Sequence, residues 1–162
     1  IKGRVVDTLT DEEGPFSAER AGGLPADKLM SLCFSGKYSQ AELQRKLRGN
    51  GGLSAYLNTT DAREVQKRIE KGDEFARLIY EAMAYQISKS ISSFAATAAG
   101  NIDLIILTGG MANSKILTSW IENRVSFIAP VEIMPGENEM EALALGVLRV
   151  LRGEEKASHY VE

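Results

Sequence analysis

Four short stretches of this sequence carry residues whose types and spacing suit phosphate chemistry. The run LIILTGGMANS, Leu104 to Ser114, feeds an apolar strand into a double glycine and then a helix start. That order lets backbone amides approach a phosphate closely. It matches neither GxGxxG nor GxxxxGK[ST], so taken alone these residues read first as a plain tight strand-to-helix turn, with Asn113 as an ordinary N-cap. PGENEMEALALG, Pro135 to Gly146, crowds Glu137, Glu139 and Glu141 at a helix start. The helix dipole alone favours carboxylates there, and one of them facing a cleft would also suit a hydrated magnesium ion, which takes oxygen ligands and keeps several waters. Position does not choose among the three. In GPFSAERAGGLP, Gly14 to Pro25, glycine and proline fix the backbone around Arg20, either as a surface ion-pairing residue or as a planar donor set for a phosphoryl group. Asp61 and Arg63 stand at another helix start, where they could meet a nucleotide or, for Asp61, simply cap the helix.

These residues need a framework, and the hydrophobic pattern supplies one. A β-prone stretch with Val5 and Val6 occupies Ile1 to Thr10 and reads as a strand, broken by the turn formers from Asp11 to Pro15. Leu29, Leu32 and Cys33 suggest a short helix after Pro25, and Ala41 to Leu47 a second one ending at Gly49, Gly51 and Gly52. Asp61 with Glu64 resembles a capping box opening a helix to about Lys71, stopped by Gly72. From Phe75 to Ala98 apolar residues recur at spacings of three and four, the stripe of a long core-facing helix ended by Gly100. Leu104 to Leu107 is apolar without alternation, as in a strand of a parallel sheet covered on both faces. A helix from about Ser114 to Asn123 follows, then strand character at Val125, Phe127, Ile128, Val131 and Ile133. Asn138 and Glu141 look like a capping box for a last helix carrying Met140, Leu143, Val147, Val150 and Leu151 on one face. Such alternation of helix and strand defines an α/β domain. Cys33 and the methionines are read as core, and the charged segment 153–162, with His159, as a frayed tail.

Composition closes off several classes of function. The 162 residues carry 19 Lys and Arg against 22 Asp and Glu, a net charge of −3 with the basic residues scattered, which offers no field to gather nucleic acid. One cysteine and one histidine build neither an internal disulfide nor a zinc site, and a reducing, cytoplasmic setting fits that usage. No apolar run approaches the roughly 20 residues of a membrane-spanning helix.

Taken in order, GPFSAERAGGLP, LCFSGKYS, GNGGLSAYLNTTDAREV, GDEFARLIYEAMAYQI, DLIILTGGMANSK, RVSFIAPVEIMPGENEMEALALG and LRVLRGEEKA resemble segments of the acetate and butyrate kinase family, in the superfamily of sugar kinases, actin and heat-shock ATPases. The resemblance covers nearly the whole chain. It implies the ribonuclease H-like C-terminal lobe of the acetate kinase and actin-like ATPase fold, a mixed sheet flanked by helices, lacking its first strands. The single domain, 1–162, would then be a nucleotide-binding lobe without its N-terminal partner.

The same resemblance assigns roles. Gly109, Gly110, Met111 and Asn113 become nucleotide contacts, as do Asp61 and Arg63; Arg20 falls at the family's catalytic arginine, and Glu139 at the carboxylate associated with magnesium, serving as catalytic and metal residue together. Ala18 stands where the family commonly has proline. The implied reaction is in-line phosphoryl transfer between ATP and a short-chain carboxylate such as butyrate, giving an acyl phosphate and ADP with Mg²⁺. Branched-chain acids are an alternative substrate, and a non-catalytic nucleotide-binding or dimerisation fragment is an alternative role. The implied partners are ATP or ADP, the carboxylate and a second copy of the chain. An isolated C-terminal portion is expected to bind nucleotide weakly and not to turn over butyrate by itself.

Overall fold

The computed structural model describes residues 1–10, 12–136 and 138–157. Among these residues seven helices and two strands follow in the order α1 (Ala26–Cys33), α2 (Gln40–Leu47), α3 (Gly52–Leu57), α4 (Ala62–Glu70), α5 (Glu74–Thr97), β1 (Ile105–Gly109), α6 (Lys115–Val125), β2 (Val131–Pro135) and α7 (Glu139–Leu151), with a 3₁₀ turn over Gly110–Asn113. The strands pair in parallel, Ile105 opposite Val131 through Gly109 opposite Pro135. Such pairing requires a crossover, and α6 provides it.

The core forms where α5 meets its neighbours. Tyr80, Met83 and Ala84 of α5 are fully buried against Leu53 and Leu57 of α3, Val65 of α4 and the four-residue-spaced Leu117, Ile121 and Val125 of α6. Each large apolar side chain so buried contributes about 1.5–3 kcal/mol relative to exposure. Side-chain caps fix where the helices begin. Ser39 and Glu42 form a reciprocal capping box on α2. Asp73 accepts from the Ala76 amide at the start of α5 and pairs with Arg68 of α4, whose guanidinium also donates to the Leu57 carbonyl, so one arginine ties α3, α4 and α5 together. Gly72 and Gly100, both at positive φ, end α4 and α5 where the sequence places the stops.

Several expectations are corrected. Residues 1–10 form no strand: Val5 and Val6 are exposed, and no described segment offers the ladder of backbone partners a strand requires. Val125 closes α6, and Phe127 and Ile128 lie in the turn after it, because α6 continues its four-residue stripe two positions beyond Asn123. Strand β1 buries only the face carrying Ile105 and Leu107; Ile106, pointing the other way, is half exposed. Asn138 adopts the left-handed conformation and caps nothing with its side chain, so the Asn138 and Glu141 box is not formed. The apolar residues of α7 all stay at least partly exposed, with no described layer packed over them. Cys33 is exposed on the last turn of α1, since that helix buries no residue. Of the methionines Met83 is core and Met111 half-buried, whereas Met30, Met134 and Met140 are exposed. Glu137 and His159 lie outside the described residues.

Candidate functional site at the strand ends

Parallel strands present ligands at their C-terminal ends, and here both strands end in glycine-rich turns. Gly109 (φ +82°) and Gly136 (φ +91°) occupy backbone conformations that disfavour any side chain. They exchange reciprocal backbone hydrogen bonds, Gly109 N–H to Gly136 O at 3.0 Å and Gly136 N–H to Gly109 O at 3.1 Å, and the Thr108 hydroxyl also donates to Gly136 O. This clasp brings the Gly110–Asn113 turn and the start of α7, with exposed Glu139, to one edge of the sheet.

Gly110 differs from its neighbours. It needs no positive φ, and a Cβ built on it would meet nothing within 4 Å. Nothing inside the fold therefore demands glycine at this position. The space above it is open, as required where a ligand must come close to the backbone. Asn113 closes the turn by donating from Nδ2 to the Gly110 carbonyl, while Ala112 is buried beneath. Ser114 then caps α6, its Oγ accepting from the Leu117 amide and from the Tyr80 hydroxyl of α5. Burial pushes the Tyr80 pKa up, and the bond to Ser114 pulls it the other way.

A second group lies at the start of α4. Arg63 clamps Asp61 through Nε to Oδ1 at 3.0 Å and a terminal nitrogen to Oδ2 at 2.8 Å, while Asp61 also accepts from the Arg63 amide. These hydrogen bonds hold the Asp61 carboxyl down at about 2. The expected capping box does not form: Asp61 caps α4 through the Arg63 amide, and Glu64 takes the Thr59 hydroxyl while the Asp61 amide donates to Thr59 Oγ1.

The third group surrounds Arg20. Loop residues 17–21 are laced to the segment after α2 by backbone bonds from Ala21 to Leu47 O, from Gly49 and Gly51 to Glu19 O, from Leu53 to Ser17 O and from Ser54 to Ala18 O. The last two satisfy amides at the N-terminus of α3, which would otherwise lack partners. A Cβ on Gly51 would lie 2.5 Å from the Ala21 nitrogen, and one on Gly52 would overlap the Ser17 carbonyl oxygen. Close backbone approach is what holds this loop. Arg20 lies in an isolated antiparallel bridge opposite Arg48, and both line a cavity of about 780 Å³ with Arg45, Glu12, Leu24 and Leu29.

The residues singled out from sequence thus fall into three locally organised groups. Gly109, Gly110, Met111 and Asn113 form the turn after β1, Glu139 lies at the start of the helix after β2, Asp61 joins Arg63, and Arg20 lies opposite Arg48. The last partner was missed, since a bridge between residues 28 positions apart leaves no periodic trace in the sequence. Among the described residues no cluster of three or more His, Cys, Asp or Glu side chains is placed to hold a metal, and no helix is long and apolar enough to cross a membrane.

A β-α-β unit with an open glycine turn at its strand ends, packed on a long helix, makes this an α/β domain. The chain belongs to the Acetokinase family, whose sequence profile matches residues 2–141. It is 54% identical over 159 residues to the probable butyrate kinase 2 of Caldanaerobacter subterraneus subsp. tengcongensis, and 50% identical over 160 residues to butyrate kinase 2 of Clostridium acetobutylicum. Both alignments take in 98% of this chain and 45% of the relative, so the chain spans a little under half the length of these curated relatives.

Among solved structures, acetate kinase from Porphyromonas gingivalis superposes with a TM-score of 0.72 at 19% identity, covering 84% of this chain and 41% of that one. Acetate kinase from Entamoeba histolytica gives 0.72 at 16% identity, covering 83% and 43%. The fold is therefore that of part of an acetate kinase, the actin-like ATPase architecture. The expected sheet is represented among the described residues by its two parallel strands.

Proposed function

We propose that this chain is the nucleotide-binding C-terminal lobe of a butyrate kinase, which transfers the γ-phosphoryl group of ATP to butyrate. The observation that carries the reading is its identity of half or more, along almost its whole length, with two proteins named butyrate kinases. The open Gly110 turn supports the nucleotide part of it.

In this reading Gly109, Gly110, Met111 and Asn113 receive the nucleotide. Gly110 lets it approach the backbone, and the Asn113 bond to the Gly110 carbonyl keeps the turn in shape. The Asp61 and Arg63 pair supplies a pre-oriented polar edge to the same ligand. Arg20 stabilises the transferring phosphoryl group, whose equatorial oxygens match a planar guanidinium. A butyrate oxygen forms the new bond to phosphorus as the bond to the ADP oxygen breaks, ADP keeping the electron pair. No general base is called for, because a carboxylate is already ionised near neutrality.

Magnesium arriving with a nucleotide needs only one or two protein carboxylates, and exposed Glu139 in the first turn of α7 is a donor of that type. When bound, the ion would neutralise developing phosphate charge. The same reading takes the protein to be cytoplasmic and to self-associate in its intact form.

The test is acyl phosphate formation by the intact protein, this lobe joined to the rest of a kinase of its relatives' length, with butyrate, isobutyrate and acetate compared. A preference for butyrate supports the proposal. A preference for isobutyrate reassigns it to branched-chain acids, and no acyl phosphate from any of the three removes it. Calorimetric titration of the 162-residue chain with Mg-ADP tests the nucleotide part separately.

A further inference from the structure

Every residue of α7 except Gly146 is exposed, although the helix carries charge only at Glu139, Glu141 and Arg149. Met140, Leu143 and Leu151 are 80%, 65% and 75% exposed. At roughly 100° per residue the apolar side chains form a belt from Val150 through Leu143, Met140 and Leu148 to Leu145, roughly 220° of the circumference. Ala142, Gly146 and Arg149 occupy the strip that remains. A helix facing a single core layer needs a stripe about 100° wide, and one apolar over most of its surface belongs in an interior. An isolated helix of this length is also marginal in water.

The sheet is equally one-sided. Ile105, Leu107 and Val131 pack into the core with α5 and α6, whereas Ile106 and Met134, on the other face, are about half exposed. Parallel strands are ordinarily covered on both faces. An apolar helix and an apolar sheet face left open in one domain mark an interaction surface.

We propose that α7 is an interior helix of the intact protein, and that its belt and the outer face of the β1 and β2 pair seat the part of the polypeptide that lies outside these 162 residues. The aligned region is only 45% of each butyrate kinase relative, so more than half of such a polypeptide lies outside it. The width of the belt selects that occupant over a second copy. Two copies related by a two-fold axis would lay one stripe of the helix on its mate and leave the sides of the belt in water. Coverage of α7 depends on the intact protein having its relatives' length, and not on which acid it phosphorylates.

The test uses the intact kinase. In the parent protein, amide exchange read peptide by peptide should be nearly as slow across α7 as across α5, because a covered helix opens rarely. A benzoylphenylalanine placed at Leu143, and separately at Leu148, on the two sides of the belt, should cross-link on illumination to peptides from outside residues 1–162. Leu143→Cys should react with a maleimide on the order of a hundredfold more slowly than Lys71→Cys, an exposed charged position at the end of α4.

Cross-links that join two copies, seen as a dimer on a denaturing gel, give the surface to a second chain and overturn the proposal. Cross-links confined to residues 1–162 overturn it too, since α7 would then close on its own sheet. Leu143→Cys labelled as fast as Lys71→Cys leaves the helix in water and does the same. If the variants do not fold, exchange in the parent at two protein concentrations decides: slow and concentration-independent exchange across α7 supports the proposal, and fast or concentration-dependent exchange sinks it. Absence of acyl phosphate formation removes the proposed function and leaves the cross-links as they are.

Discussion

The Tyr80 hydroxyl of α5 donates to Ser114 Oγ at 3.0 Å, inside the core and directly beneath the turn that ends at Asn113. Ser114 Oγ also accepts from the Leu117 amide, so one oxygen joins the longest helix to the start of α6. Tyr80→Phe keeps the ring and removes the donor. A buried hydrogen bond contributes about 0.5–1.5 kcal/mol net, and about 1 kcal/mol moves the melting temperature by roughly 2–4 °C in a domain of this size. Tyr80→Phe is expected to melt lower by that amount. Ser114→Ala, which also loses the cap, should melt lower still, by an extra amount on the order of 1 kcal/mol. Calorimetric melts of the two variants and the parent check both.

Gly110 offers the cleanest separation of fold from ligand. Its φ is not positive and its missing Cβ points into open space, so Gly110→Val should fold with a melting temperature near the parent's. Its branched side chain would occupy the space above the turn. Mg-ADP titration should then show nucleotide affinity reduced by more than tenfold, roughly 1.4 kcal/mol or more. Unchanged affinity would move the nucleotide away from this turn.

Local signals in the sequence located most elements and few of their surroundings. Gly72, Gly100, Pro25 and the periodicity of α5 are short-range marks, and each element they bound appears where they place it. The short helix α3 was not foreseen, because its start is fixed by the carbonyls of Ser17 and Ala18, more than 30 positions earlier. Burial was harder to read than helicity. An apolar face reports what a helix could bury, and α7 keeps Met140, Leu143 and Leu151 largely exposed. At the site, the glycines of the strand-end turn were visible as types, while their clasp through Gly136 and the pairing of Arg20 with Arg48 depend on long-range backbone register.

Asp61 carries a pH dependence whose sign follows from its partners. Its carboxyl is held at about 2, below the ordinary 3.8, first by the Arg63 side-chain hydrogen bond and then by the Arg63 amide. A depressed folded value means the stabilisation is complete above the unfolded value near 3.8 and is lost as pH falls through about 2. Carbon-detected NMR titration should find Asp61 still ionised at pH 3, where an ordinary aspartate is mostly protonated. In Arg63→Gln the midpoint should return upward. A midpoint near 3.8 in the parent chain would mean that the clamp does not persist in solution.

Gly52 tests whether the Arg20 loop is held by backbone approach. Its φ of +55° is left-handed, and a Cβ there would overlap the Ser17 carbonyl oxygen. Placing alanine at a left-handed position costs of order 1–3 kcal/mol from the backbone alone, and the overlap adds to it because backbone must move. Gly52→Ala should therefore lower the melting temperature more than Tyr80→Phe does. It should also loosen residues 17–21, raising amide exchange at Ala21 and Gly49, whose N–H groups make the bonds flanking the Arg20 and Arg48 bridge. Gly146→Ala is the control: Gly146 lies within α7 at an ordinary negative φ, and its Cβ would meet only the end of the Arg149 side chain at 3.8 Å. Alanine there should be neutral or stabilising by up to about 1 kcal/mol, with exchange at Ala21 and Gly49 unchanged. Equal melting temperatures and exchange for the two variants would show that the loop does not depend on this close approach.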